Sequence, residues 1–207
     1  LKLTRAGQWE RAISVLQAAI ADGVEPTTHL FFSAITACGQ SGQWQRALKL
    51  LREDMMAAGL VPEKHCFNAA IRACASAGKV SEALRVLFVD FPRSRWQSHA
   101  PMYENQPDAL SFAPILEALA RQGDKDLAMG VLREVKPVTQ YPPSKYHRRA
   151  VASAFLNYGD EDGARGVLEE LHGAFRRPNL ENTKTGKRKL ARMDLGVKAA
   201  IEAFDGK

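Results

Sequence analysis

Gly42-Gln43-Trp44-Gln45-Arg46-Ala47 repeats Gly7-Gln8-Trp9-Glu10-Arg11-Ala12 at a distance of 35 residues. The same Gly-x-x-x-x-Ala frame returns at Gly78 to Ala83, Gly123 to Ala128 and Gly159 to Ala164. The intervals are 35, 36, 45 and 36. A second marker keeps step. Pro26, Pro62, Pro107, Pro143 and Pro178 are separated by 36, 45, 36 and 35 residues. Two markers with matching intervals identify a tandem repeat, and a period of this length belongs to repeat architectures.

Each unit reads as two helices. After the proline, apolar residues recur at helical spacing, as in Phe31, Ala34, Ile35, Cys38 and again Phe67, Ala70, Ile71, Cys74. A glycine then ends the helix. The next helix carries Ala47, Leu48, Leu50, Leu51 and Met55, or Ala83, Leu84, Val86 and Leu87. Gly23 and Gly59 close it three residues before the proline. A lone pair of this size cannot bury its apolar face, but stacked pairs share one core. The expected fold is all-α, a right-handed α-solenoid of antiparallel helix pairs. The pairs are expected at about 27–58, 63–89, 108–135 and 144–173, after a lone helix at about 8–22. Residues 1–173 form the array. The interval of 45 makes 91–106 an inserted loop, with Trp96 and Tyr103 as candidates for contact with protein. Residues 174–207 read as a basic linker and a final amphipathic capping helix built on Leu190, Met193, Val197, Ala200 and Phe204.

Composition bounds the function. The 207 residues are 45% hydrophobic and 25% charged, an ordinary globular balance. The longest run without Lys, Arg, Asp or Glu, Pro26 to Gln45, is too polar to span a membrane. Three cysteines exclude a disulfide-framework mini-protein and fit a reducing compartment. The net charge is +6, and residues 173–207 supply +5 of it through 9 Lys and Arg against 4 Asp and Glu. Such a cluster suits a polyanion or an acidic protein surface. Its cations include Arg176, Arg177, Lys187, Arg188, Lys189 and Arg192. Lys145, Arg148 and Arg149 form a second group at the start of one first helix. The chain opens on Leu1 in what reads as a helix, so it is taken as part of a longer or processed protein.

No catalytic or metal constellation is visible. None of His29, His65, His99, His147 and His172 lies four residues from another, and neither His-Glu-x-x-His nor Cys-x-x-Cys occurs. Thr185-Gly186-Lys187 lacks the earlier glycine and the following hydroxyl residue of a phosphate loop. Cys38 and Cys74 stand at equivalent core-facing places and read as packing residues. No cofactor, metal or small-molecule substrate is expected, and the chain reads as a non-enzyme.

The paired helices at 35–36 residues, the Gly-x-x-x-x-Ala turn and the Gly-Val-Glu-Pro ending at Gly23 to Pro26 resemble the pentatricopeptide repeat family over about residues 7–173. The tetratricopeptide rival has a period of 34 and a tryptophan early in its first helix, whereas Trp9 and Trp44 open second helices. The resemblance implies single-stranded RNA binding in a mitochondrion or chloroplast, with one base read per repeat by two or three side chains. It places base-edge contacts at Phe32, Asn68, Ala113 and Arg149. Their partners would be Glu63, Asp108, Ser144 and Asn179, and base stacking falls to His29, His65, Leu110 and Tyr146. Only Asn68 with Asp108 is similar to a pairing of the family, one associated with pyrimidines and favouring U. The partners implied are single-stranded or ribosomal RNA, in RNA processing, RNA stability or an organellar ribosome. The alternative is a scaffold that holds other proteins of an organellar assembly and reads no RNA sequence.

Overall fold

The computed structural model describes residues 3–94 and 106–173. Nine helices account for nearly all of them, with no strand among the described residues. They are α1 (Leu3–Ala21), α2 (Thr28–Gln40), α3 (44–57), α4 (Lys64–Ser76), α5 (80–94), α6 (Ala109–Gln122), α7 (Lys125–Thr139), α8 (Lys145–Tyr158) and α9 (Glu161–Gly173). After α1 they fall into four pairs joined by short turns, the all-α architecture expected from the repeat.

The repeat glycine has a backbone reason. Gly42 and Gly78 sit at φ 76° and 73°, the left-handed region that side chains resist. Each lets the chain reverse after a first helix. Gln43 N–H then donates to Cys38 O at 2.8 Å, and Lys79 N–H to Cys74 O at 2.9 Å, closing the open carbonyls of the helix end. The repeat alanine has a packing reason. Ala47, Ala83 and Ala128 are fully buried, and Ala164 nearly so.

Two compact units divide the chain, Leu1–Ile115 and Leu116–Lys207, with the division inside α6. In the first unit, Phe31, Ile35, Leu50, Leu51, Met55, Ile71, Leu84 and Leu87 are all buried to within a few per cent. α2 lies directly on α4, where an added Cβ on Gly39 would meet Ala73 Cβ at 2.8 Å. The ring of Phe67 stacks on Phe91 at 4.4 Å, and Phe88 meets Phe112 edge-on at 6.1 Å. Arg52 of α3 bridges to α5, with Nε donating to Asp90 Oδ2 at 2.8 Å and an Nη donating to Glu82 Oε2 at 3.2 Å. In the second unit Leu119, Ala128, Val131, Val135, Val151 and Ala154 form the core. There Asn157 Nδ2 donates to Ala120 O at 2.6 Å.

Two helices run further than the sequence suggests. α5 was expected to stop near 89 and give way to a loop at 91, yet it continues through Pro92 to Ser94. α7 was expected to stop near 135 and reaches Thr139 through Pro137. A proline inside a helix clashes with the carbonyl four residues before it. For Pro92 that carbonyl belongs to Phe88, which lies inside a wide π-helical turn, Val86–Asp90. α3 carries the same turn at Leu50–Asp54, 36 residues earlier and with no proline after it. The wide turn therefore belongs to the repeat, and Pro92 uses room already present. Burial of Phe91 against Phe67 then holds the extra helical turn in place.

Candidate nucleic-acid interface

Each first helix begins just after a repeat proline, so its first turn carries the residues expected to meet a base. In the first unit these residues form two clusters. His29, Phe32 and His65 make an aromatic group, with His29–His65 centroids at 5.3 Å and Phe32–His65 at 5.1 Å, edge to face. Such pairs favour this tilt because ring edges are positive and faces negative. The stacking places His29 and His65 are thus packed on each other across α2 and α4. His29 remains exposed, His65 and Phe32 are half-buried, and His65 Nε2 is buried without a hydrogen-bond partner. Glu63 lies beside this group. Its carboxylate accepts from Thr28 Oγ1 at 3.1 Å, and its other oxygen lies 3.5 Å from His65 Nδ1.

The second cluster surrounds Asn68 and Asp108. The insertion separates them by 40 residues, yet Asn68 Nδ2 donates to Asp108 Oδ1 at 3.5 Å. Ser111 Oγ donates to Asn68 Oδ1 at 2.7 Å and accepts from Asp108 N–H at 3.1 Å. Asp108 Oδ1 also accepts from Leu110 N–H at 3.0 Å, which fixes the carboxylate on the first turn of α6. Lys64 Nζ stands 3.4 Å from Asp108 Oδ2 and offsets its charge. Leu110, at a stacking place, is exposed, and Ala113 is half-buried with no polar group to offer.

In the second unit, Tyr146 presents its ring to solvent at 66% exposure, with Lys145 Nζ 5.3 Å from the ring centroid. Arg149 is exposed on the same turn. Arg148 departs from expectation. It is buried and does not join Lys145 and Arg149 as a surface cation. It precedes the buried Val151 and Ala152 by three and four residues, which sets it on the inner side of α8. Ser144 is engaged as a helix cap, with Oγ accepting from His147 N–H at 3.4 Å while Ser144 N–H donates to His147 Nδ1 at 3.3 Å.

Trp96, Tyr103, Arg176, Arg177, Asn179, Lys187, Arg188, Lys189 and Arg192 lie outside the described residues, as does the C-terminal helix expected around Leu190 to Phe204. Sequence reasoning missed Ser111 and Thr28. Ser111 had a signal. Four residues after successive repeat prolines stand Leu30, Cys66, Ser111 and His147, so a hydroxyl occupies a column that opens with two apolar residues.

The thiols are inert. Burial pushes Cys66 and Cys74 up to about 12, and raises Cys38 as well. No group of three His, Cys, Asp or Glu that could hold a metal ion occurs among the described residues. No helix among them is long and apolar enough to cross a membrane.

Residues 33–53 and 65–88 match the family model of the PPR repeat. The crystal structure of the pentatricopeptide repeat protein PPR10 from maize superposes with a TM-score of 0.62 at 27% identity, over 83% of this chain and 23% of that one. The chain carries two segments that match the PPR repeat and is similar in fold to a pentatricopeptide repeat structure. Two Arabidopsis thaliana structures share the fold of this chain at 16% identity. One is the PPR domain of protein-only RNase P 1 in complex with tRNA, with a TM-score of 0.62 over 97% of this chain and 92% of that one. The other is nuclear proteinaceous RNase P 2, with a TM-score of 0.61 over 81% of this chain and 35% of that one. The chain thus spans about a quarter of the maize pentatricopeptide repeat structure. No curated protein matches it by sequence.

Proposed function

We propose that this chain binds single-stranded RNA through the first turns of its first helices and performs no chemistry of its own. The observation that carries the reading is the assembly of Asn68 with Asp108, a pair the sequence splits by an insertion and the fold brings into hydrogen-bond contact. An amide beside a fixed carboxylate is suited to the polar edge of an unstacked base. His29, and Tyr146 in the second unit, expose aromatic rings on which bases can stack, each worth ~1–3 kcal/mol when engaged. Lys145 and Arg149 supply cations for phosphates, which add affinity without sequence information. The setting we propose is a mitochondrion or chloroplast, in RNA processing, RNA stability or an organellar ribosome.

A second reading, a protein-holding scaffold, is favoured by one observation. Glu63 is tied to Thr28 and Ser144 is tied into a helix cap, so two of the partner places are occupied by the protein itself. Fluorescence anisotropy with labelled random single-stranded RNA, titrated across salt, separates the two. RNA binding predicts micromolar or tighter affinity near physiological salt, with a salt slope that counts phosphate contacts. Absence of binding at that salt favours the scaffold.

A further inference from the structure

We propose that Ser111 is a positioning residue for base recognition. Its buried hydroxyl holds the Asn68 amide in the one orientation that presents N–H, rather than C=O, to a base. The inference rests on the RNA-binding reading above and adds a residue outside the places the family resemblance assigns.

Donors and acceptors at this site pair in a definite way. Ser111 is fully buried. Its oxygen already accepts from Asp108 N–H at 3.1 Å. Its single hydroxyl proton has two acceptors in range, Asn68 Oδ1 at 2.7 Å and Asp108 Oδ1 at 3.3 Å. The shorter contact takes it. Turning the amide over would remove that acceptor and set the Asn68 carbonyl against the Asp108 carboxylate at 3.5 Å, two acceptors with no proton between them. Asp108 cannot turn away to relieve this, because Leu110 N–H at 3.0 Å and Lys64 at 3.4 Å hold both of its oxygens. Ser111 therefore claims the carbonyl of Asn68 and Asp108 claims one N–H. The second N–H of this half-buried amide is left to donate.

Uracil and cytosine are alike in size and stacking. They differ where uracil carries the O4 acceptor and cytosine the N4 amino donor. A presented N–H pairs with O4 and opposes the amino group, and a reversed amide would do the opposite. The hydroxyl of Ser111 thus acts with Asp108 in setting which pyrimidine the site prefers.

The test uses the whole chain with short labelled oligouridylate and oligocytidylate, compared by anisotropy for the wild type, Ser111→Ala and Ser111→Cys. Cysteine is chosen because Cys66 fills the same repeat position one unit earlier, fully buried, so the fold accepts it there while a weak thiol donor replaces the hydroxyl. The wild type is expected to prefer oligouridylate by about 5-fold, the value of one net hydrogen bond. Both variants are expected to lower the ratio towards one, with affinity for oligocytidylate little changed. An unchanged preference in both variants, or a wild type that binds both oligomers equally, overturns the proposal. Binding of neither oligomer by the wild type is failure of the RNA reading instead. The positioning itself is then read from the Asn68 side-chain amide signals by NMR. They are expected to move in both variants, and signals that stay in place overturn it.

Discussion

α2 approaches α4 tightly at Gly39 and Ala73, where a methyl group built on the glycine would stand 2.8 Å from Ala73 Cβ and 3.2 Å from its Cα. Neither neighbour is the end of a flexible side chain, so the helices must part to admit a side chain. Gly39→Ala should gain helix propensity worth about 1 kcal/mol and lose more to overpacking, typically about 1–3 kcal/mol. The expected net loss is up to about 2 kcal/mol by urea denaturation. Gly166→Ala, in α9 with nothing within 4 Å of the added carbon, should instead stabilise the chain by roughly 0.5–1 kcal/mol. Equal responses of the two variants would contradict this packing.

Arg52 pairs with both Glu82, at 3.2 Å, and Asp90, at 2.8 Å. Burial alone would lower its pKa, but attraction and hydrogen bonds from Asp90 and then Glu82 outweigh this and raise it above the ordinary guanidinium value. Arg52→Met leaves two partly buried carboxylates facing each other. The expected loss is about 1–2 kcal/mol, more than an isolated surface pair would give. Chemical denaturation of Arg52→Met and of the triple variant that also carries Glu82→Gln and Asp90→Asn checks it. The triple variant should recover part of the loss.

Lys125 and Asp160 pair at 2.6 Å across the start of α7 and α9. The hydrogen bond from Lys125, then that from Gly163 N–H, lowers Asp160, and the hydrogen bond to Asp160 raises Lys125. The depressed carboxylate contributes stability above its unfolded pKa and loses it as pH falls through the folded one. The raised ammonium contributes below its unfolded pKa and loses it as pH rises through the folded one. The contribution is therefore present between the ordinary carboxylate and ammonium ranges. Asp160→Asn keeps an oxygen to cap Gly163 N–H while removing the charge. Melting curves of variant and wild type should differ at neutral pH and converge in acid, and a constant difference down to acid would rule this out.

The thiols supply a check on the first unit's core. With Cys66 and Cys74 at about 12 and Cys38 also raised, thiolate is scarce in the folded chain. A thiol-reactive chromophore at pH 8 should label none of the three until urea opens the unit. Rapid labelling without urea would contradict the burial of α2 and α4.

The repeat and its helix pairs were legible because glycine, alanine and proline recur for separate physical reasons: chain reversal, close packing and helix entry. The aromatic places on α2 and α4 were legible too, and so was packing between neighbouring first helices as the alternative to base stacking, but not which of His29, Phe32 and His65 would meet. That depends on the spacing between neighbouring helices, which periodicity does not give. Arg148 was misread because a run of cations was taken as one surface, whereas its distance from Val151 and Ala152 already placed it inward. The run of α5 through Pro92 was not legible, since nothing in sequence announces the wide turn at Val86–Asp90. Ser111 went unnoticed because a lone serine carries no pattern of its own, and only alignment with Leu30 and Cys66 marks it as polar in an apolar place.

The central claim is that the first turns of the first helices are the RNA-binding surface. The most direct test is a titration of the isotope-labelled chain with single-stranded RNA, followed by backbone amide NMR. The account predicts shifts concentrated at Thr28 to Phe32, Lys64 to Asn68 and Lys145 to Arg149. Shifts confined to the second helices, α3, α5, α7 and α9, or no shifts at saturating RNA, would contradict it.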